Sequence, residues 1–180
     1  MNLGALDREQ LEALLLDPAS IGQQPGERSR EVRLRHVLAA AHELLVRIAH
    51  RDIVGRRLLD NPALVKQYLA VLFAGAEREL FAVLFLDAQL CVIAAETLFA
   101  GTLTQTSVYP REVVRRALHH NAASVVLAHN HPSGCAEPSR ADELLTSTLK
   151  SALALIDVRI TDHLVVAGSA AVSFAERGLL

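Results

Sequence analysis

SVVLAHNHPSGCAEPSRAD, residues Ser124 to Asp142, contains a strand, a turn and a helix start from which the rest of the chain can be read. Ser124 to Ala128 is short, apolar and β-branched at its centre, which predicts a fully buried strand. Residues i and i+2 of an extended backbone point to the same side, so His129 and His131 present two imidazoles to one point in space. Pro132, Gly134 and Pro138 then turn the chain into a helix expected over 138–153. Asp142 lies in the first turn of that helix and can return a carboxylate to the same point.

Two histidines and one carboxylate leave a fourth tetrahedral position for water, the pattern of a catalytic zinc site. Iron(II) is the alternative occupant, because a 2-His-1-carboxylate set also suits non-haem iron. The same residues have structural roles open to them. Histidines at a strand end can be hydrogen-bonded loop residues, and Ser139-x-x-Asp142 is also the pattern of a helix N-cap with its N3 carboxylate. The roles can coexist, with Ser139 accepting an amide through its oxygen while its hydroxyl proton faces a reacting carbonyl. Hydrolysis also needs a base to move the proton of water to the leaving amine. Glu77 and Glu79 immediately precede the apolar run 80–86, and Asp87 and Glu96 lie beyond its ends. The residues alone do not separate Glu77 from Glu79.

Outward from this segment, Leu80 to Leu86 and Leu90 to Phe99 read as an antiparallel hairpin turning at Asp87-Ala88-Gln89. Pro110 opens a helix to about His120. Val158 to Ile160 and Leu164 to Ala167 read as two strands joined by Asp162 and His163, with an edge strand at Val172 to Phe174. Toward the N-terminus the pattern turns helical. Leu6, Asp7, Gln10 and Leu11 fit the staple, N-cap, N3 and N4 positions of a helix over 8–16. A loop is expected at 17–26, a helix over about 30–50, and a helix opened by an Asn61 cap and Pro62 that stops at Gly75. These features predict an α/β sandwich over 58–180, preceded by a helical segment over 1–57.

Composition narrows the class. The chain has 180 residues, of which 51% are hydrophobic but only 4% aromatic, so the core is built from Leu, Val, Ala and Ile. No apolar run approaches the roughly 20 residues of a membrane span, and the first residues do not read as a signal peptide. Cys91 and Cys135 are too few for a disulfide framework, so the cytoplasm is the expected location. The net charge of −2 argues against a general nucleic-acid surface, although residues 27–57 hold eight arginines against four acidic residues.

His129-x-His131-Pro132 with Ser139 and Asp142 resembles the JAMM motif of the JAB1/MPN metalloprotease superfamily, which includes zinc-dependent deubiquitinating isopeptidases. The string HNHPSGCAEPSRAD is accompanied by GTL at 101–103, PRE at 110–112, NAAS at 121–124, TDHLVV at 161–166 and SFAERG at 173–178. Together they closely resemble the RadC family over about residues 58–180. The resemblance implies a cytidine-deaminase-like fold with a central mixed sheet, although the deaminase His-x-Glu and Pro-Cys-x-x-Cys signature is missing. It makes His129, His131 and Asp142 ligands of one zinc ion and Ser139 a stabiliser of the oxyanion. It makes Glu79 the general acid/base, with Glu77 in reserve. The implied substrate is a peptide, an isopeptide or another amide. Two other readings accompany it: a DNA-repair or recombination accessory, favoured by the Arg-rich helix, and a non-catalytic metal-bound scaffold. Residues 1–57 lack the glycine-containing hairpin of the helix-hairpin-helix region in full-length relatives, and Tyr109 stands where relatives often have histidine.

Overall fold

Leu80–Leu86 has neither a polar face nor a helical stripe, and in the computed structural model it forms β1, a strand buried along nearly its whole length. The structure describes residues 3–16, 27–58, 62–101 and 108–180. The expected loop at 17–26, the Asn61 cap and residues 102–103 lie outside the described residues. β1 lies second in a five-stranded mixed sheet of order β2-β1-β3-β4-β5. The other strands are β2 (Val92–Ala100), β3 (Ser124–Asn130), β4 (Arg159–Ala167) and β5 (Ala170–Ser173). Of the four strand pairs in this sheet, β3–β4 is parallel and the others are antiparallel.

The hairpin turn is built by Asp87, whose Oδ1 accepts from Gln89 N at 2.8 Å and Cys91 N at 2.9 Å. Leu90 takes a φ of 64° in this turn, so β2 begins at Val92 rather than at Leu90 as expected. Pleat alternation directs Phe81, Val83, Phe85, Val125 and Leu127 to one face. There they pack with Val113 and Ala117 of α4 (Pro110–His119) and Leu149 and Leu153 of α5 (Arg140–Ala154). Ala82, Leu84, Val126, Ala128 and Leu164, of opposite parity, are buried as well, so the sheet is covered on both faces. Such burial explains why β1 and β3 read as continuous apolar runs.

The two strands expected at 158–160 and 164–167 are one strand, β4. Asp162 and His163 do not break it because their polar atoms are satisfied within the fold. Asp162 accepts from Ser173 Oγ at 2.7 Å and Ala175 N at 3.0 Å, while His163 bonds to His129 and Thr146. The misfit appears instead as a register shift between Val125 and Val126 on β3. The expected edge strand ends at Ser173, which caps a short helix α6 (Phe174–Arg177) through a bond from Glu176 N. α5 starts at Arg140, after its N-cap Ser139, rather than at Pro138.

The helical part comprises α1 (Arg8–Leu16), α2 (Glu27–Ile53) and α3 (Pro62–Leu72). At the start of α1, Gln10 N donates to Asp7 Oδ1 at 2.8 Å and Asp7 N to Gln10 Oε1 at 3.0 Å, the reciprocal cap read from the sequence. On α2, Arg35 pairs with Glu31 and Arg47 with Glu43, each one turn away. The chain divides into two compact units, Met1–Arg51 and Asp52–Leu180. Residues 52–57 fall in the second unit. Ile53 is buried, Val54 and Arg57 bridge to Val92 and Cys91, and Gly55 N donates to Val92 O at 2.8 Å. Among the described residues, no helix is long and apolar enough to cross a membrane.

Candidate metal centre

β3 runs two residues beyond its expected end, so His129 and Asn130 lie inside the strand and His131 one step past it. His131 N still donates to Val166 O at 2.8 Å, which holds the backbone in register up to the turn. The two imidazoles share one side, as their spacing requires, with Nε2 atoms 2.9 Å apart. His131 Nδ1 lies 2.8 Å from Cys135 O. A carbonyl only accepts, so that nitrogen carries the hydrogen and Nε2 keeps its lone pair.

Asp142 arrives from α5. Ser139 N and Ser139 Oγ both donate to Asp142 Oδ2 at 2.7 Å, and Asp142 N donates to Ser139 Oγ at 3.3 Å. The capping box therefore also aims the carboxylate. Asp142 Oδ1 is 3.2 Å from His129 Nε2, and Oδ2 is 3.5 Å from His131 Nε2. One ligand atom from each of His129, His131 and Asp142 falls within 4.8 Å of the others. Burial pushes the Asp142 carboxyl up, but the adjacent His129 ring and the two hydrogen bonds from Ser139 outweigh it. The carboxyl is held well below the usual carboxylate range. An ionised carboxylate and neutral imidazoles are the protonation states that bind a metal.

The loop between His131 and Asp142 is tied down at both ends. Gly134, at a φ of 82°, makes the turn, and its N–H donates to His131 O at 3.1 Å. Glu137 then receives both Arg177 nitrogens, at 2.7 and 3.0 Å, which joins the loop to α6. A cleft of about 420 Å³ lies on the other side of the pleat from His129, lined by Phe73, Ala76, Asn130, Pro132 and Val166.

Of the two candidate bases, Glu77 is exposed in a bend while Glu79 is half-buried. Glu79 O accepts from Gly101 N at 2.7 Å, which carries the β1–β2 ladder one step past β1. Phe81 lies opposite His129, and continuing that register by two residues would bring Glu79 toward His131. Asn130 fixes this approach from the other side of the pleat. Its Oδ1 accepts from Leu80 N at 2.7 Å and its Nδ2 donates to Arg78 O at 3.1 Å, bracketing Glu79. Tyr109, at the N-cap of α4, is not in the ligand group.

Sequence reasoning missed three residues here: Asn130, His163 and Thr146. His163 is fully buried directly behind His129, with Thr146 beyond it. The available signal was a histidine inside the apolar run of TDHLVV, which was read as a joint between strands.

The RadC-like JAB domain family matches residues 59–179. A UPF0758 protein of Acidovorax sp. (strain JS42) is 60% identical over 146 residues, covering 81% of this chain and 61% of that protein. A UPF0758 protein of Leptothrix cholodnii is 55% identical over 171 residues, covering 93% of this chain and 74% of that protein. The chain thus spans 61% of the length of the Acidovorax relative.

Proposed function

The chain belongs to the RadC-like JAB family, and from that premise we propose that it is a zinc-dependent hydrolase of amide bonds, a metallopeptidase or isopeptidase. The observation that carries this reading is the convergence of His129 Nε2, His131 Nε2 and an Asp142 oxygen on one point. Two imidazoles and one carboxylate are the donor set of an open zinc site, so the residues fit the metal. Bound zinc would supply Lewis acidity, polarising a carbonyl and lowering the pKa of a water to near 7.

The chain's own residues supply the rest. His129, His131 and Asp142 hold the ion, and the Ser139 cap keeps the Asp142 carboxylate ionised and aimed. Glu79, just before β1, accepts the proton of the attacking water as the water oxygen bonds to the carbonyl carbon. It returns that proton to the nitrogen as the C–N bond breaks. The Ser139 hydroxyl, turned from Asp142 toward the substrate, donates to the carbonyl oxygen as charge develops there.

Elemental analysis of protein purified with zinc present tests this proposal. Wild type is expected to hold one zinc per chain, Asp142→Ala none, and Glu79→Gln one zinc without amide hydrolysis. Wild type without metal under these conditions would sink the assignment, and iron in place of zinc would change the ion but keep the ligands.

A further inference from the structure

His163 is a fully buried histidine that the proposed hydrolysis does not use. It lies on β4 between Phe81 and Phe174, with ring centroids 5.9 and 4.7 Å away. Its Nε2 is 2.9 Å from His129 Nδ1, and its Nδ1 is 2.7 Å from Thr146 Oγ1. Thr146 Oγ1 in turn lies 2.6 Å from the backbone oxygen of Asp142. These contacts form an unbroken hydrogen-bonded chain from the ring of one proposed ligand to the backbone of another.

The direction of the chain follows from the inventory of donors. Asp142 O can only accept, so the Thr146 hydroxyl spends its hydrogen there and offers His163 only lone pairs. His163 Nδ1 must therefore carry a hydrogen. His163 is fully buried between the rings of Phe81 and Phe174, where an imidazolium would be costly, so the ring is neutral and its other nitrogen is bare. His163 Nε2 then accepts, His129 Nδ1 donates, and His129 Nε2 is left with a lone pair facing His131 and Asp142. A carbonyl on α5 thus decides which nitrogen of His129 is free to bind a metal.

We propose that His163 and Thr146 are positioning residues that lock His129 in its Nδ1–H tautomer and couple its ring to the backbone of Asp142, preorganising both for one metal ion. The inference rests on the zinc reading above. Partners that orient a ligating histidine through its second nitrogen usually change metal affinity by about 10–100-fold when removed. Here the partner is a second histidine from another strand, itself oriented by a hydroxyl from the helix that carries Asp142.

The test is chelator competition for zinc on the full chain, together with imidazole nitrogen shifts of His129 in the metal-free protein. His163→Phe keeps a ring between Phe81 and Phe174 but removes the acceptor, and it should weaken zinc binding about 10–100-fold. Thr146→Val, a smaller change that leaves both rings in place, should weaken zinc binding and shift the His129 signals toward the other tautomer. His163→Gln, whose side-chain oxygen can accept from His129, should recover most of the loss. Wild-type zinc affinity in both His163→Phe and Thr146→Val, or a wild-type His129 protonated on Nε2, would overturn the inference and leave the metal centre standing. A wild type that takes up no zinc would instead sink the reading beneath it.

Discussion

Two clusters in the second unit combine histidine with carboxylate, and they differ in what their polar atoms face. On α4 and β2, Glu96 accepts from Arg116 Nε at 2.6 Å and from Arg116 Nη2, and its Oε1 lies 2.8 Å from His120 Nε2. Each acceptor meets a donor there, and the Glu96 carboxyl is held below its usual range chiefly by the bond from Arg116, with burial opposing. At the end of β3, the His131 hydrogen is spent on Cys135 O and the Ser139 hydrogens on Asp142 Oδ2. The remaining lone pairs of His129, His131 and Asp142 turn toward one another. The first cluster is complete as an ion pair, whereas the second gathers acceptors that a cation would satisfy. Residue composition alone does not distinguish a structural charge cluster from a site, but the direction of the hydrogen bonds does.

The same chemical change made in both clusters should therefore have unlike effects. Changing carboxylate to carboxamide at Asp142→Asn is expected to abolish stoichiometric zinc uptake, while Glu96→Gln leaves it intact, as read by elemental analysis. Loss of zinc in both variants would erase the distinction. Replacing each cluster's histidine by Phe gives the next largest contrast. His163→Phe should cost about 10–100-fold in zinc affinity, and His120→Phe, which sits against Phe85 with centroids 4.6 Å apart, should cost none. Asn130→Ala leaves Leu80 N and Arg78 O without their partner and should lower unfolding free energy by about 1–3 kcal/mol in denaturant titration. Unchanged stability there would mean that the strand before β1 is held by other contacts.

The smallest effect is one of pH. Because the folded Glu96 carboxyl lies below its unfolded value, its contribution to stability is complete above that unfolded value of 4.5 and is lost as pH falls through the folded one. Melting temperatures at pH 7 and pH 3.5 should therefore differ less in Glu96→Gln than in wild type. An equal or larger difference would show that the Glu96 pair does not contribute to acid sensitivity.

What could be read in the sequence was local. Spacing placed His129 and His131 on one side, the Ser139-x-x-Asp142 pattern marked a cap that also turns the Asp142 carboxylate toward them, and unbroken apolar runs marked β1 and β3. What could not be read depended on partners far along the chain. His163 looked like a polar interruption because its partner His129 lies 34 residues away. Asn130 looked like a loop residue because it bonds 50 residues back, to Leu80 N. The end of β3 and the continuity of β4 were misjudged for the same reason, since a polar residue reads as a strand end until its buried partner is known.

Zinc-edge X-ray absorption on the full chain loaded with one equivalent of zinc tests the metal centre most directly. The account predicts two imidazole nitrogens at about 2.0–2.1 Å with the remaining ligands oxygen. A sulfur scatterer at about 2.3 Å, placing Cys135 or Cys91 on the ion, or a single imidazole in the fit, would contradict it.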